Sequence, residues 1–154
     1  MAAKIKNSAL RLLIIDDHPM MRTGLAQLID NEGDLKVYAE ADNAGQAIDL
    51  VLCDISLPDK SGLELIKDIR ALQPDLPILV VSMHDEMIYA ERVLRAGGRG
   101  YIMKQEGGVK FIHAIRQVLA GQIYVSEKMS SRILEIFSGA KTRADHSPVS
   151  KLSD

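Results

Sequence analysis

The chain alternates between short apolar runs and longer stretches in which apolar residues recur every three to four positions. Five runs are rich in aliphatic and β-branched residues: Leu10–Asp16, Leu35–Ala41, Leu50–Ile55, Pro77–Met83 and Arg99–Lys104. Runs of this kind, without polar alternation, fit strands buried on both faces, as in a parallel sheet. The stretches between them follow the period of a helix with one apolar face. Pro19–Asp30 sets Met20, Met21, Leu25, Leu28 and Ile29 together, with Pro19 where a first-turn proline is tolerated. Ser61–Leu72 repeats this through Leu65, Ile66, Ile69 and Leu72, and Gly107–Leu119 through Val109, Phe111, Ile112, Ile115, Val118 and Leu119. Glu86–Ala96 is a weaker version, closed by Gly97 and Gly98, which read as a helix end and turn. Strands alternating with helices predict a five-stranded, doubly wound α/β domain with helices on both faces and right-handed crossovers.

One interval departs from this rhythm. About eight residues, "DNAGQAID", separate the second and third runs, whereas a parallel crossover takes a dozen or more. Either the second crossover helix is abbreviated over 41–49, or residues between Ile48 and Val51 have been lost from the sequence. At the other end, "AGQIYVSEKMSSRILEIF" holds a further candidate helix from Ser126 to Phe137, after which the composition turns polar and Ser-rich. The expected organisation is a tail over 1–9, the α/β domain over 10–122, an additional helix within 123–138, and a linker over 139–154.

Doubly wound sheets carry their sites beyond the carboxyl ends of the strands. Here those ends bear Asp16 and Asp17, Asp54, Ser82 and Lys104. In the strand order 2-1-3-4-5, Asp17 and Asp54 stand on neighbouring strands. Carboxylates this close repel one another unless a cation lies between them, and oxygen ligands favour a hard divalent ion, Mg²⁺ or Mn²⁺. The same set suits phosphoryl transfer to a carboxylate: Asp54 as nucleophile, Lys104 and the metal neutralising the phosphoryl oxygens, Ser82 donating a hydrogen bond.

Composition acts by exclusion. A net charge of −2 gives no basic footprint for nucleic acid, and the absence of Trp, with two Phe and four Tyr, removes stacking platforms. The single cysteine, Cys53, excludes an internal disulfide and any multi-cysteine metal site. No apolar stretch approaches the ~18 residues that span a bilayer, and MAAKIKNSAL lacks the apolar core of a secretory signal. A cytoplasmic protein with no membrane partner is the expectation.

The segments "LLIIDDHP", "LVLCDISLPDKSGLEL", "ILVVSMH" and "GGRGYIMKQE" resemble the response-regulator receiver domain of two-component signalling over roughly residues 10–120. The "DDHP" opening and the Gln after Lys104 resemble its NarL/FixJ subfamily. The strand order is itself partly an implication of this resemblance. The resemblance further implies Asp54 as phosphoacceptor, Asp16 and Asp17 as the acidic metal pair, and the Ser56 backbone carbonyl as another metal ligand. Ser82 resembles the switch hydroxyl, Tyr101 the switch aromatic and Lys104 the phosphate-binding lysine. A sensor histidine kinase is the implied phosphodonor, and a homodimer a further partner. "SPVSKLSD" is similar to the lead-in to a LuxR-type helix-turn-helix, so DNA would be reached only through an output domain outside this chain.

Plainer readings stand beside these. Asp16 and Asp17 suit a helix N-cap before Pro19, and His18 a helix-start residue at the rim. Cys53 suits core packing before a redox role, and Tyr101 a half-buried strand aromatic. His84 and Ser56, each two residues past a strand-end group, would flank a phosphoryl group and influence its lifetime. Two other functions compete: a phosphorylation-independent binding module, and a Mg²⁺-dependent phosphatase with an aspartyl nucleophile. Ser56 stands where such a phosphatase carries a second Asp, and there is no inserted cap segment to bind a substrate.

Overall fold

The computed structural model of the protein describes residues 9–38, 48–55, 61–136 and 138. Five strands form one parallel sheet: β1 (Leu10–Ile15), β2 (Leu35–Tyr38), β3 (Leu50–Cys53), β4 (Ile78–Ser82) and β5 (Gly100–Met103). Their order is β2-β1-β3-β4-β5. Among the described residues up to 124, four helices connect or follow them: α1 (Pro19–Asp30), α2 (Gly62–Leu72), α3 (Glu86–Ala96) and α4 (Gly108–Leu119). The chain divides into two compact units, residues 1–124 and 125–154.

The central strands justify the parallel reading. Every residue of β3 and β4 is buried, as a strand covered on both faces requires. Leu12, Leu50, Leu52, Leu79 and Val81 meet Leu25 and Ile29 of α1 and Phe111, Ala114, Ile115 and Val118 of α4 in one apolar cluster. The helices begin where the sequence supplies a stop to extended chain. Ser61 and Asp85 cap α2 and α3 by accepting the N–H of Leu63 and Met87. Gly97 ends α3 at φ 111°, a conformation that costs glycine nothing.

The periodicity named the helices but overran their buried faces. Met20, Leu72 and Val109 were assigned to apolar faces, yet they are 87%, 82% and 86% exposed. Each lies within two residues of a helix end, where the chain is entering or leaving the helix. Strand ends are also tighter than the apolar runs: Asp16, Asp54, Ile55 and Lys104 lie beyond their strands. The 1–8 part of the tail, the end of the second apolar run from residue 39, the 41–47 part of the short crossover, Phe137 and the 139–154 linker fall outside the described residues.

The register of β3 is fixed locally. Asp49 accepts the Arg11 N–H through Oδ2 at 2.8 Å, and its own N–H donates to the Arg11 carbonyl at 2.8 Å. Pairing then runs from Leu12 with Leu50 to Ile15 with Cys53, and the Asp54 N–H continues it onto the Ile15 carbonyl at 2.9 Å. Past α4, Tyr124 forms a parallel bridge with Gly100, its N–H donating to Arg99 and its carbonyl accepting from Tyr101. None of the five apolar runs read from the sequence includes Tyr124. In the second unit residues 127–136 are helical, and Ser126 accepts the Met129 N–H through Oγ at 3.1 Å.

Candidate phosphoacceptor and metal site

Three strand ends converge at one sheet edge. β1 delivers Asp16 and Asp17, β3 delivers Asp54, and the chain leaving β5 delivers Lys104. Lys104 must reach across the end of β4 to meet Asp54, two strand spacings of about 4.8 Å each, which a long side chain can do. Its Nζ lies 3.0 Å from Asp16 Oδ2 and 3.0 Å from Asp54 Oδ2. All three side chains are withdrawn from water, at 6% exposure for Lys104, 3% for Asp16 and 2% for Asp54.

Charge and hydrogen bonding outweigh burial here. Burial pushes the Asp16 carboxyl up, but the His18 backbone N–H, Lys104 and the His18 ring together hold it below its ordinary value. Burial likewise pulls Lys104 down, and its bonds to Asp16 and Asp54 more than offset this, so the ammonium keeps its proton above the usual range. Asp17 is 43% exposed at the mouth of the cluster.

His18 is the helix-start residue at the rim that the sequence suggests, with 58% of its side chain exposed, and its ring also faces the cluster. Its Nδ1 lies 2.9 Å from Asp16 Oδ1, 3.4 Å from Asp17 Oδ1, 3.6 Å from Asp54 Oδ2 and 3.0 Å from Lys104 Nζ. The aspartates do not cap α1: His18 is the N-cap residue, and Asp16 Oδ1 accepts its N–H at 2.9 Å. That hydrogen bond turns the ring into the carboxylates. Asp-x-His before a proline-started helix is the sequence signal that could have shown it.

The arrangement fits a divalent cation. Asp16, Asp17, His18 and Asp54 each offer a ligand atom, all within 4.8 Å of one another. Asp16 Oδ2 is buried against the Lys104 ammonium, so this oxygen already faces a positive charge. Ser56, assigned a carbonyl ligand, lies outside the described residues.

Ser82 and Tyr101 form a second cluster beside the first. Ser82 is fully buried, and its Oγ accepts the His84 N–H at 3.0 Å. Tyr101 is 1% exposed, more than the half-buried aromatic the plain reading held, and its hydroxyl donates to the His84 carbonyl at 2.7 Å. Burial pushes its phenol up to about 12, with Ser82 working the other way through a hydrogen bond. Both switch candidates thus hold the backbone of His84. Cys53 is 1% exposed, and burial, helped by Asp54 and Asp16, pushes its thiol up to about 12, which suits packing.

Gly62 is a positioning residue that the apolar pattern could not flag. A Cβ there would lie 2.4 Å from Ile55 Cα and 2.8 Å from the Asp54 carbonyl oxygen. The start of α2 therefore rests directly on the turn that carries Asp54, joined to it by the Gly62 N–H to the Ile55 carbonyl at 2.9 Å.

Comparison with known proteins agrees with this geometry. The sequence profile of the family described as "Response regulator receiver domain" matches residues 12–116. The response regulator GacA of Pseudomonas viridiflava is 29% identical over 94% of this chain and 71% of its own length. A LuxR-family two-component response regulator from Aurantimonas sp. SI85-9A1 superposes with a TM-score of 0.74 at 31% identity, over 85% of this chain and 99% of that one. RcsB, solved as two dimers bound to two parallel DNAs, superposes with a TM-score of 0.72 at 25% identity, over 83% of this chain and 68% of that one. The chain spans from 61% to 74% of the length of curated relatives it matches. With its profile match, its sheet order and its acidic strand ends in agreement, the chain belongs to the response-regulator receiver family.

Proposed function

We propose that Asp54 accepts a phosphoryl group from the phosphohistidine of a sensor histidine kinase, and that the acylphosphate shifts the domain between two states. The observation that carries this reading is the buried Asp54 carboxylate held 3.0 Å from the Lys104 ammonium at the end of a central strand. An Asp54 oxygen attacks phosphorus, the P–N bond breaks, and the departing imidazole takes up a proton. Lys104 offsets charge on the phosphoryl oxygens. Asp16, Asp17 and Asp54 would hold Mg²⁺ or Mn²⁺, with the Ser56 carbonyl as a further ligand, and the ion would supply charge neutralisation of the transferring group.

Ser82 and Tyr101 are the readout in this proposal. A Ser82 hydroxyl drawn toward the new dianion releases the His84 N–H it now accepts, and Tyr101, bonded to the same residue's carbonyl, senses the change. His84, with Ser56, would also influence how fast water removes the phosphoryl group. The output is proposed to be transcriptional, through dimerisation or contact with a DNA-binding domain that residues 139–154 would lead into, in a cytoplasmic protein. No helix among the described residues is long and apolar enough to cross a membrane.

Intact mass after incubation with a small-molecule phosphodonor and Mg²⁺ tests the reading. One phosphoryl adduct, absent in Asp54→Asn and with a chelator, is the expected result. No adduct on the unaltered protein overturns it in favour of a phosphorylation-independent binding module, and continuous donor turnover without an adduct favours a phosphatase.

A further inference from the structure

We propose that His18 is a nitrogen ligand of the acidic metal site, biasing it toward first-row transition ions such as Mn²⁺ and Ni²⁺ relative to Mg²⁺. The inference rests on the reading of Asp16, Asp17 and Asp54 as that site.

Two observations carry it. The first is an unresolved conflict at His18 Nδ1. Lys104 Nζ, 3.0 Å away and already bonded to Asp16 and Asp54, has only protons to give, so it can meet Nδ1 only through the ring's lone pair. Asp16 Oδ1, 2.9 Å away, has only lone pairs and needs an Nδ1 proton. No tautomer serves both. With the lone pair inward, Nδ1 and the carboxylate face each other as two acceptors, an arrangement that a cation between or beside them relieves. The second is that one positive charge already sits in this centre: the Lys104 ammonium lies 3.0 Å from Nδ1, from Asp16 Oδ2 and from Asp54 Oδ2, so the ring nitrogen and both buried carboxylates converge on the place a cation takes.

The spacing suits one shared ion. Neighbouring donors around an ion bound at about 2.1 Å lie roughly 3 Å apart, and Nδ1 stands 2.9, 3.4 and 3.6 Å from the three carboxylates. The ring does not float: the His18 N–H bonded to Asp16 Oδ1 and Pro19 at the helix start fix its backbone. At 58% exposure the side chain also borders solvent, so an ion has access. An all-oxygen site suits Mg²⁺, and each imidazole nitrogen added to it favours ions further along the Mn²⁺ to Ni²⁺ series.

Calorimetric titration with Mg²⁺, Mn²⁺ and Ni²⁺ separately, at one fixed pH, compares the unaltered protein with His18→Ala, His18→Asn and Asp17→Asn. Losing even an outer-sphere partner costs metal sites about 10–100-fold in affinity. Ni²⁺ affinity is therefore expected to fall about tenfold in both His18 variants, Mn²⁺ affinity to fall less, and Mg²⁺ affinity to stay within about twofold, while Asp17→Asn weakens all three. An unchanged Ni²⁺ to Mg²⁺ affinity ratio in the His18 variants, with Asp17→Asn still weakening every ion, overturns the His18 assignment alone. Binding of every ion that is indifferent to Asp17→Asn overturns the site reading and this inference with it.

Discussion

Replacing Lys104 by Met removes an ammonium that touches both buried carboxylates, and the structure sets the size of the effect. Two contacts of 3.0 Å are lost, each worth about 5.5 kcal/mol of gross attraction at an effective dielectric of about 20. Much of that gross figure only repays the withdrawal of the ions from water. Removing one partner of a buried pair leaves a net cost of about 3–5 kcal/mol, and the exposed Asp17 side of the cluster favours the lower end, about 3 kcal/mol. With a urea slope of about 2 kcal/mol/M for a domain of this size, the midpoint should fall by about 1.5 M at neutral pH with chelator present.

The pH dependence of that loss is a stricter check than its size. Asp16 is held below its ordinary value of 3.8, so its share of the stability is present above 3.8 and is lost as pH falls through the lower folded value. Lys104 is held above 10.5, so its share is present below 10.5 and is lost as pH rises through the higher folded value. The difference between the two proteins should be full across that window and shrink as pH falls below 3.8 through the lower folded value of Asp16. Urea titrations of both at neutral and acid pH measure it. A midpoint unchanged at neutral pH, or a difference that persists undiminished in acid, would refute the electrostatic account of the site.

Two glycines give opposite expectations from one substitution. Gly62→Ala should destabilise the domain by about 1–3 kcal/mol and slow phosphoryl uptake, because its Cβ strikes the Asp54–Ile55 backbone. Gly24→Ala, mid-helix with nothing within 4 Å of its Cβ, should stabilise by up to about 1 kcal/mol; thermal melts and the phosphorylation rate read both. Cys53, with its thiol pushed up to about 12 and 1% exposed, should resist alkylation in the folded protein at neutral pH and react once urea unfolds it, as followed by intact mass.

Much of this protein was legible in its sequence because the dominant force leaves a periodic trace. Strands buried on both faces have to be apolar throughout, so β3 and β4 announce themselves, and a charge at the end of such a run marks where chain leaves the core. Asp16, Asp54, Ser82 and Lys104 could be named on that ground, and the order of strands then placed them at one edge. Tertiary structure decided what periodicity does not encode. Met20, Leu72 and Val109, each within two residues of a helix end, satisfy the period and still face solvent. Gly62 matters only because another part of the backbone passes 2.4 Å from where its Cβ would be. His18 looked like a residue at the rim. Its ring nitrogen meets carboxylates delivered by both β1 and β3, and that meeting depends on the pairing of those two strands, which no single residue encodes.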